Sequence, residues 1–207
     1  MPFETEQENF WAGEFGNEYI VRNKMSALVA SNAAFLSKAL SRTSGIRSCI
    51  EFGANIGLNL VAMNTIFPGI ELAAIEINEA AVKRLRDFVP AENVFHGSIL
   101  DFPLPPRFWD LVLIKGVLIH INPDCLPNVY EKLVSSCKKY LLVGEYYNPT
   151  PVSIPYRGHE NKLFKRDFAG EIMESHPEMK LLDYGFIYRR DPNFPQDDMT
   201  WFLMEKS

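Results

Sequence analysis

The chain has 207 residues, 47% of them hydrophobic, enough to bury one substantial core and a length that favours one domain over two. A formal net charge of -5, with no long lysine or arginine run, excludes the electrostatic footprint of a nucleic-acid binder and points to small-molecule partners. No apolar run reaches the roughly 18 residues of a membrane span, and Cys49, Cys125 and Cys137 are irregularly spaced with no leader before Met1-Pro2-Phe3, so the expected setting is a reducing cytoplasm.

Residues 17–42 place Ile20, Met25, Leu28, Val29, Phe35, Leu36 and Leu40 at helical spacing with no internal proline or glycine, which predicts one or two helices. Thr43-Ser44-Gly45 ends that pattern. Strand-like runs then alternate with helical stretches: IRSCIEF, a helix over 55–66, ELAAIEI, a helix over 78–88, NVFHG, FWDLVLIKG, a helix over 123–138, and YLLVGEYY. Such alternation predicts an α/β, Rossmann-like fold, its mostly parallel sheet covered by helices on both faces. A further helix over 161–175 precedes KLLDYGFIYR and MTWFLMEK, two strand-like runs joined by DPNFPQDD. With no helix between them they read as a hairpin, giving a seven-stranded sheet with an antiparallel C-terminal strand. No repeat, low-complexity tract or linker interrupts 1–207, read as a single domain.

The stretch IEFGANIGLNL, residues 50–60, carries the first chemistry. In open α/β sheets ligands lie beyond the carboxyl ends of the strands. Gly53 and Gly57 stand at such a turn, where glycine permits positive φ and close approach to the main chain. They form only G-x-x-x-G, so the dinucleotide fingerprint fails. Glu51, just before the turn, would repel a pyrophosphate and attract an ammonium group.

E-F-G-A-N-I-G resembles motif I of the class I S-adenosylmethionine-dependent methyltransferases, usually acidic-x-G-x-G-x-G, with Asn55 at the middle glycine. Asn55 must then take a left-handed conformation, which asparagine visits more readily than most residues. The resemblance implies S-adenosylmethionine as cofactor, with Glu51, Gly53, Asn55 and Gly57 at its methionine end and Glu76, followed by Ile77, at the ribose. HGSILDF is similar to the family's G-D-x-x-D-F, which implies Ser98, in place of the usual aspartate, and Ile99 beside the adenine. FWDLVLIKGVLIHI resembles the fourth strand and its turn, which brings Lys115 and Gly116 to the methionine half. It also implies an N-terminal helical lid over 1–44, where Tyr19 would cover the sulfonium and Arg22 would meet the cofactor carboxylate, or both would simply pack as helix.

FWAGEFGNEYIVRN, GVLIHINPD, EYYNPTPVSIPYRGHENKLFKRDFAGE and DYGFIYRRDPNFPQDDMTWFLME are similar to the pseudaminic acid biosynthesis-associated methylases over nearly the whole chain. That resemblance implies methyl transfer to a nonulosonic acid, amino sugar or sugar nucleotide in surface-glycan biosynthesis. Methyl transfer needs alignment first, and a hydroxyl or amine acceptor must also lose a proton. His120, Glu145 and Tyr147 are the catalytic candidates, although His120 in VLIHI also suits a satisfied core position, and of Tyr146 and Tyr147 at most one can face the pocket. The proline-bearing stretch NPTPVSIPYRGHENKLFKR reads as a loop over the site, with Tyr146, Asn148, Tyr156, Arg157 and His159 as substrate contacts and Arg157 as a grip for an anionic or sugar-like group. Lys162, Lys165 and Arg166 read as the solvated face of the helix that follows. The N-P-P-[YF] sequence of amide and adenine N-methylation is absent, since that position reads IKGV; a sugar hydroxyl or an amino, amidino or guanidino nitrogen stays open as acceptor. The four histidines are scattered, so no metal is expected. Two other classes stay open, an NAD-dependent sugar oxidoreductase and a non-catalytic adenosyl-binding protein.

Overall fold

A computed structural model describes residues 3–22, 25–103 and 109–207, the side chains of 21, 22 and 25–27 excepted. Seven strands form one sheet: β1 (Ser48–Phe52), β2 (Glu71–Glu76), β3 (Val94–His96), β4 (Trp109–Lys115), β5 (Cys137–Glu145), β8 (Met179–Ile187) and β9 (Met199–Lys206). Their order is β3-β2-β1-β4-β5-β9-β8. The first five are parallel, and β9 runs antiparallel between β5 and β8.

Alternation along the strands divides the core in two. Ile50 and Phe52 of β1, Val112 and Ile114 of β4, and Leu141 and Val143 of β5 face α6 (Leu126–Ser136) and α7 (Phe168–Ser175). Cys49, Leu111, Leu113, Tyr140 and Leu142 face the other way, onto α3 (Met25–Ala39), α4 (Leu58–Ile66) and α5 (Glu79–Leu85). Near-continuous apolar strands, rather than clean alternation, are what burial on both faces demands. The expected seven-stranded, helix-covered sheet is therefore the one observed.

The N-terminal segment adds two helices, α1 (Glu6–Ala12) and α2 (Glu14–Arg22). Sequence periodicity did not reveal α1. Its signal is the capping box, in which the Thr5 side chain accepts from the Glu8 N–H while the Glu8 carboxylate accepts from the Thr5 N–H.

The helix expected over 161–175 requires correction. Residues 159–165 form β7 (His159–Lys165), antiparallel to β6 (Val152–Tyr156), and helix begins only at Phe168. The two central residues of the connecting turn, Arg157 and Gly158, have φ of 51° and 86°, as a two-residue hairpin of type I′ requires. The stretch read as a loop is thus a small separate sheet, and Pro155 sits in it because an isolated pair has free edges. Lys162, read as solvated, is instead buried in β7, with its ammonium 2.8 Å from Glu6 of α1. Glu6 remains mostly solvated, so the ion pair contributes at most about 1 kcal/mol; the Gln7 amide adds a 3.0 Å hydrogen bond to the Asn161 carbonyl. Hairpin and α1 are fastened to each other above the sheet.

Gly53 has φ of 74°, and a Cβ built on it would lie 2.6 Å from Cγ2 of Val117. We expect Gly53→Ala to destabilise the chain by about 2 kcal/mol, combining left-handed strain with a steric clash, measurable as a lower urea midpoint at unchanged slope.

Candidate active site

The carboxyl ends of β1, β2 and β4 open into a cavity of about 530 Å3, roofed by α1, α2 and residues 189–197 of the β8–β9 connection. Its floor is the turn from Gly53 to Gly57, where Gly53, Asn55 and Gly57 all have positive φ (74°, 50° and 76°). Asn55 takes the left-handed conformation that its place in the motif demanded, and its Oδ1 accepts the Ile56 N–H at 2.6 Å. Both glycines take the positive φ expected of them. Packing requires them as well, since a Cβ on Gly53 would strike Val117 and one on Gly57 would strike Phe88 and Leu85. Gly97, on the cavity wall, is the glycine whose missing Cβ leaves open space.

Two buried carboxylates stand on adjacent strand ends. Glu76 uses both oxygens on the main chain, Oε2 accepting from Asn55 N–H and Oε1 from Asn78 N–H, each at 2.7 Å. Burial nevertheless holds its pKa above the ordinary carboxylate value. Glu51 accepts from the Asn59 amide at 2.6 Å through Oε1, while its buried Oε2 has no partner among the described residues. Burial pushes Glu51 up to about 8, and the nearby Lys115 ammonium only partly offsets that. Lys115 is pushed down by burial and pulled back by Glu51, Asp197 and Glu145.

Glu145 does not line the cavity. Its Oε1 accepts the N–H groups of Val117 and Leu118, each at 2.9 Å, and so holds the turn that carries His120; burial raises it to about 7. His120 does line the cavity. Its Nδ1 faces the Lys162 carbonyl at 2.5 Å, and a carbonyl only accepts, so Nδ1 carries the proton. Burial depresses its pKa to about 4, which leaves a neutral ring with a lone pair on Nε2 at neutral pH. Trp11 packs 4.6 Å and Tyr156 5.0 Å from that ring, centroid to centroid.

Of the remaining candidates, Tyr19, Ile77, Ser98 and Ile99 line the cavity, and Ser98 Oγ accepts the Leu100 N–H at 3.0 Å. Tyr146 hydrogen-bonds Asp197 at the cavity rim, and its hydroxyl pKa is raised, first by burial and then by Asp197. The Arg22 side chain lies outside the described residues. Others are not brought to the cavity: Tyr147 is exposed against Phe202, Asn148 bonds Thr150, and Arg157 sits at the hairpin tip over the Tyr156 ring. His159 is exposed, its ring against Phe10 and Phe15. Sequence reasoning missed Gln7, Glu8, Asn59, Asn78, Gln196 and Asp197. Only Glu8, through its capping box, and Asn78, as the N-cap of α5, carried a local signal.

The raised carboxylates fix a pH dependence. Glu145 and Glu51 titrate at about 7 and about 8 in the folded chain against an ordinary 4.5, so they hold protons that the unfolded chain has released. Their contribution to stability is complete below pH 4.5 and is lost as pH rises through the folded values. His120 acts oppositely, but only below its unfolded value of 6.5. From pH 6.5 to 8 we expect the ligand-free protein to lose stability by up to about 1.4 kcal/mol per pH unit for each group still titrating. Urea titrations across that range should show the loss, and Glu51→Gln should flatten it above pH 7.

No protein-family model matches the chain, and no curated protein matches it significantly. Solved structures do. Burkholderia thailandensis 1,6-didemethyltoxoflavin-N1-methyltransferase, solved with 1,6-didemethyltoxoflavin and S-adenosylhomocysteine, superposes with a TM-score of 0.70 at 12% identity, covering 100% of this chain and 92% of that one. Magnesium protoporphyrin IX methyltransferase from Synechocystis PCC 6803, with bound S-adenosylmethionine, gives 0.65 at 11% identity over 100% of both chains. A glycopeptide N-methyltransferase complexed with S-adenosylmethionine gives 0.63 at 13% identity over 88% of this chain and 96% of that one. At such identities the likeness is one of fold, and the fold of this chain is the one these methyltransferases have.

Proposed function

We propose that the protein is an S-adenosylmethionine-dependent methyltransferase acting on an oxygen or nitrogen of a polar small molecule. The observation that carries this reading is the pair of buried carboxylates at adjacent strand ends, one with an unpartnered oxygen, in a cavity that also holds Lys115. A buried carboxylate oxygen without a donor is costly. The ammonium of the cofactor's methionine end is a donor that would satisfy Glu51 and return it to its charged form.

In this reading Glu76 would take the ribose hydroxyls with the lone pairs left over from its two backbone bonds. Lys115 would face the cofactor carboxylate, Ser98 and Ile99 would flank the adenine, and Tyr19 would offer its ring to the sulfonium. When bound, S-adenosylmethionine supplies a methyl carbon that an acceptor lone pair displaces from sulfur. His120 would receive the acceptor's proton; its neutral ring, with the Nδ1 proton held by the Lys162 carbonyl, leaves the Nε2 lone pair for that role. Glu145 acts on the reaction through the turn it holds and is a positioning residue.

The finer reading, an amino sugar or nonulosonic acid of surface-glycan biosynthesis, rests on the sequence resemblance. Its anionic element rested on Arg157 and His159, whose side chains are exposed on the hairpin outside the cavity lining, so the structure lends that element no support.

S-Adenosylhomocysteine should raise the melting temperature by several degrees and NAD should not, since only a ligand of the folded state stabilises it; the reverse result would favour the oxidoreductase. Glu76→Ala should weaken S-adenosylhomocysteine binding at least roughly tenfold, read by calorimetry on folded protein. With any acceptor found by S-adenosylhomocysteine release, His120→Ala should lower kcat by roughly 100- to 10,000-fold and leave S-adenosylhomocysteine affinity unchanged. A protein that binds the adenosyl ligand yet turns over no acceptor would be the non-catalytic alternative.

A further inference from the structure

The roof of the cavity carries polar groups that the reading above does not use. Glu8 and Gln7 of α1 are 6% and 4% exposed, and both line the cavity. Glu8 spends Oε2 on its capping box with Thr5. Its buried Oε1 has no partner among the described residues, and neither does Oε1 of Gln7. No basic side chain among the described residues pairs with Glu8. His120 lines the same cavity, and its ring packs against Trp11 from the same helix. Trp11 lines this end with its ring, and Tyr156, outside the lining, packs against both Trp11 and His120.

A helix start explains one oxygen of Glu8, not the other. Leaving a buried carboxylate oxygen unpaired is unfavourable unless a ligand brings a donor to it. Two oxygen acceptors, one of them formally charged, on the same helix as the Trp11 ring, match a cationic or N–H-rich nitrogen: the carboxylate supplies charge, the amide oxygen a second hydrogen bond, and the ring a cation–π face. A carboxylate or phosphate would meet like charge.

We propose that Glu8, with Gln7 and Trp11, forms a substrate-recognition subsite for an amine-bearing molecule. The inference rests on the methyltransferase reading for the word substrate, and it adds to that reading the acceptor's class, a small molecule carrying a protonated amino group. An amino sugar belongs to that class and an unsubstituted acidic sugar does not. Glu8 is a binding group here; the proton of the reacting atom is the business of His120.

The test uses benzylamine, benzyl alcohol and benzoate as probes of one size and three charges, each titrated into the full chain saturated with S-adenosylhomocysteine and, separately, into the chain alone. Binding is read by ligand-observed NMR, with S-adenosylhomocysteine affinity measured independently. Benzylamine should bind at least tenfold more tightly than benzoate. Glu8→Gln keeps an oxygen for the Thr5 cap but removes the charge, and should weaken benzylamine at least tenfold with S-adenosylhomocysteine affinity unchanged. Glu8→Lys should reverse the order of benzylamine and benzoate, a gain that misfolding cannot produce. Benzoate binding as tightly as benzylamine, Glu8-independent binding, or no amine binding at all would overturn the proposal. Glu8-dependent amine binding without any S-adenosylhomocysteine binding would leave the subsite standing and remove the cofactor reading instead.

Discussion

The carboxylate of Glu76 ties together the parts that make the cavity. It receives the N–H of Asn55 from the turn after β1 and that of Asn78 from the turn after β2, so two neighbouring strand ends share one buried acceptor. Asn78 extends the arrangement. Its Oδ1 caps α5 through the N–H groups of Ala80 and Ala81, while its Nδ2 donates to the Asn17 side chain and the Trp11 carbonyl in the N-terminal helices. One charged group thus sets the floor of the cavity and, through one amide side chain, the seat of its roof. Networks of this kind are stiff because every buried member must be satisfied at once.

Charge around the cavity is held in an unresolved state. Glu51 and Lys115 are both shifted toward their neutral forms by burial, and Glu145 is raised although it accepts two backbone N–H groups. A low-dielectric wall makes each of these groups sensitive to the next charge that arrives. Glu51, with one buried oxygen unpartnered among the described residues, is the group most open to such a change, since a donor brought to that oxygen would favour its charged form.

One part of the roof, α1, is braced from outside the cavity by a segment distant in sequence. α1 and the β6–β7 hairpin meet through Glu6 and Lys162, Gln7 and the Asn161 carbonyl, and the rings of Phe10, Trp11, Phe15, Tyr156 and His159. His120 sits at their junction, with its tautomer fixed by a carbonyl of the hairpin. The hairpin therefore sets the tautomer of a histidine that lies on a different element, while its own exposed tip holds Arg157 outside the cavity lining.

Local rules were enough to read the sheet, since continuous apolar strands alternating with helical periods have few other packings. They were also enough for the turn at Gly53–Gly57, where an acidic strand end, two glycines and an asparagine able to adopt positive φ leave one backbone path. His120, Glu51 and Glu76 could be nominated because they stand at strand ends that the topology gathers. What the sequence alone could not decide was set by contacts between distant segments. HENKLFK satisfies a helix as well as a strand, and only pairing with VSIPY chose the strand. Arg157 has the right chemistry for an anion, yet a two-residue turn points it away from the cavity, whereas Glu8, Gln196 and Asp197 reach the lining from opposite ends of the chain. Composition and periodicity encode which faces must be buried; which polar groups meet inside the cavity depends on how those faces close, and no local window of residues contains that information.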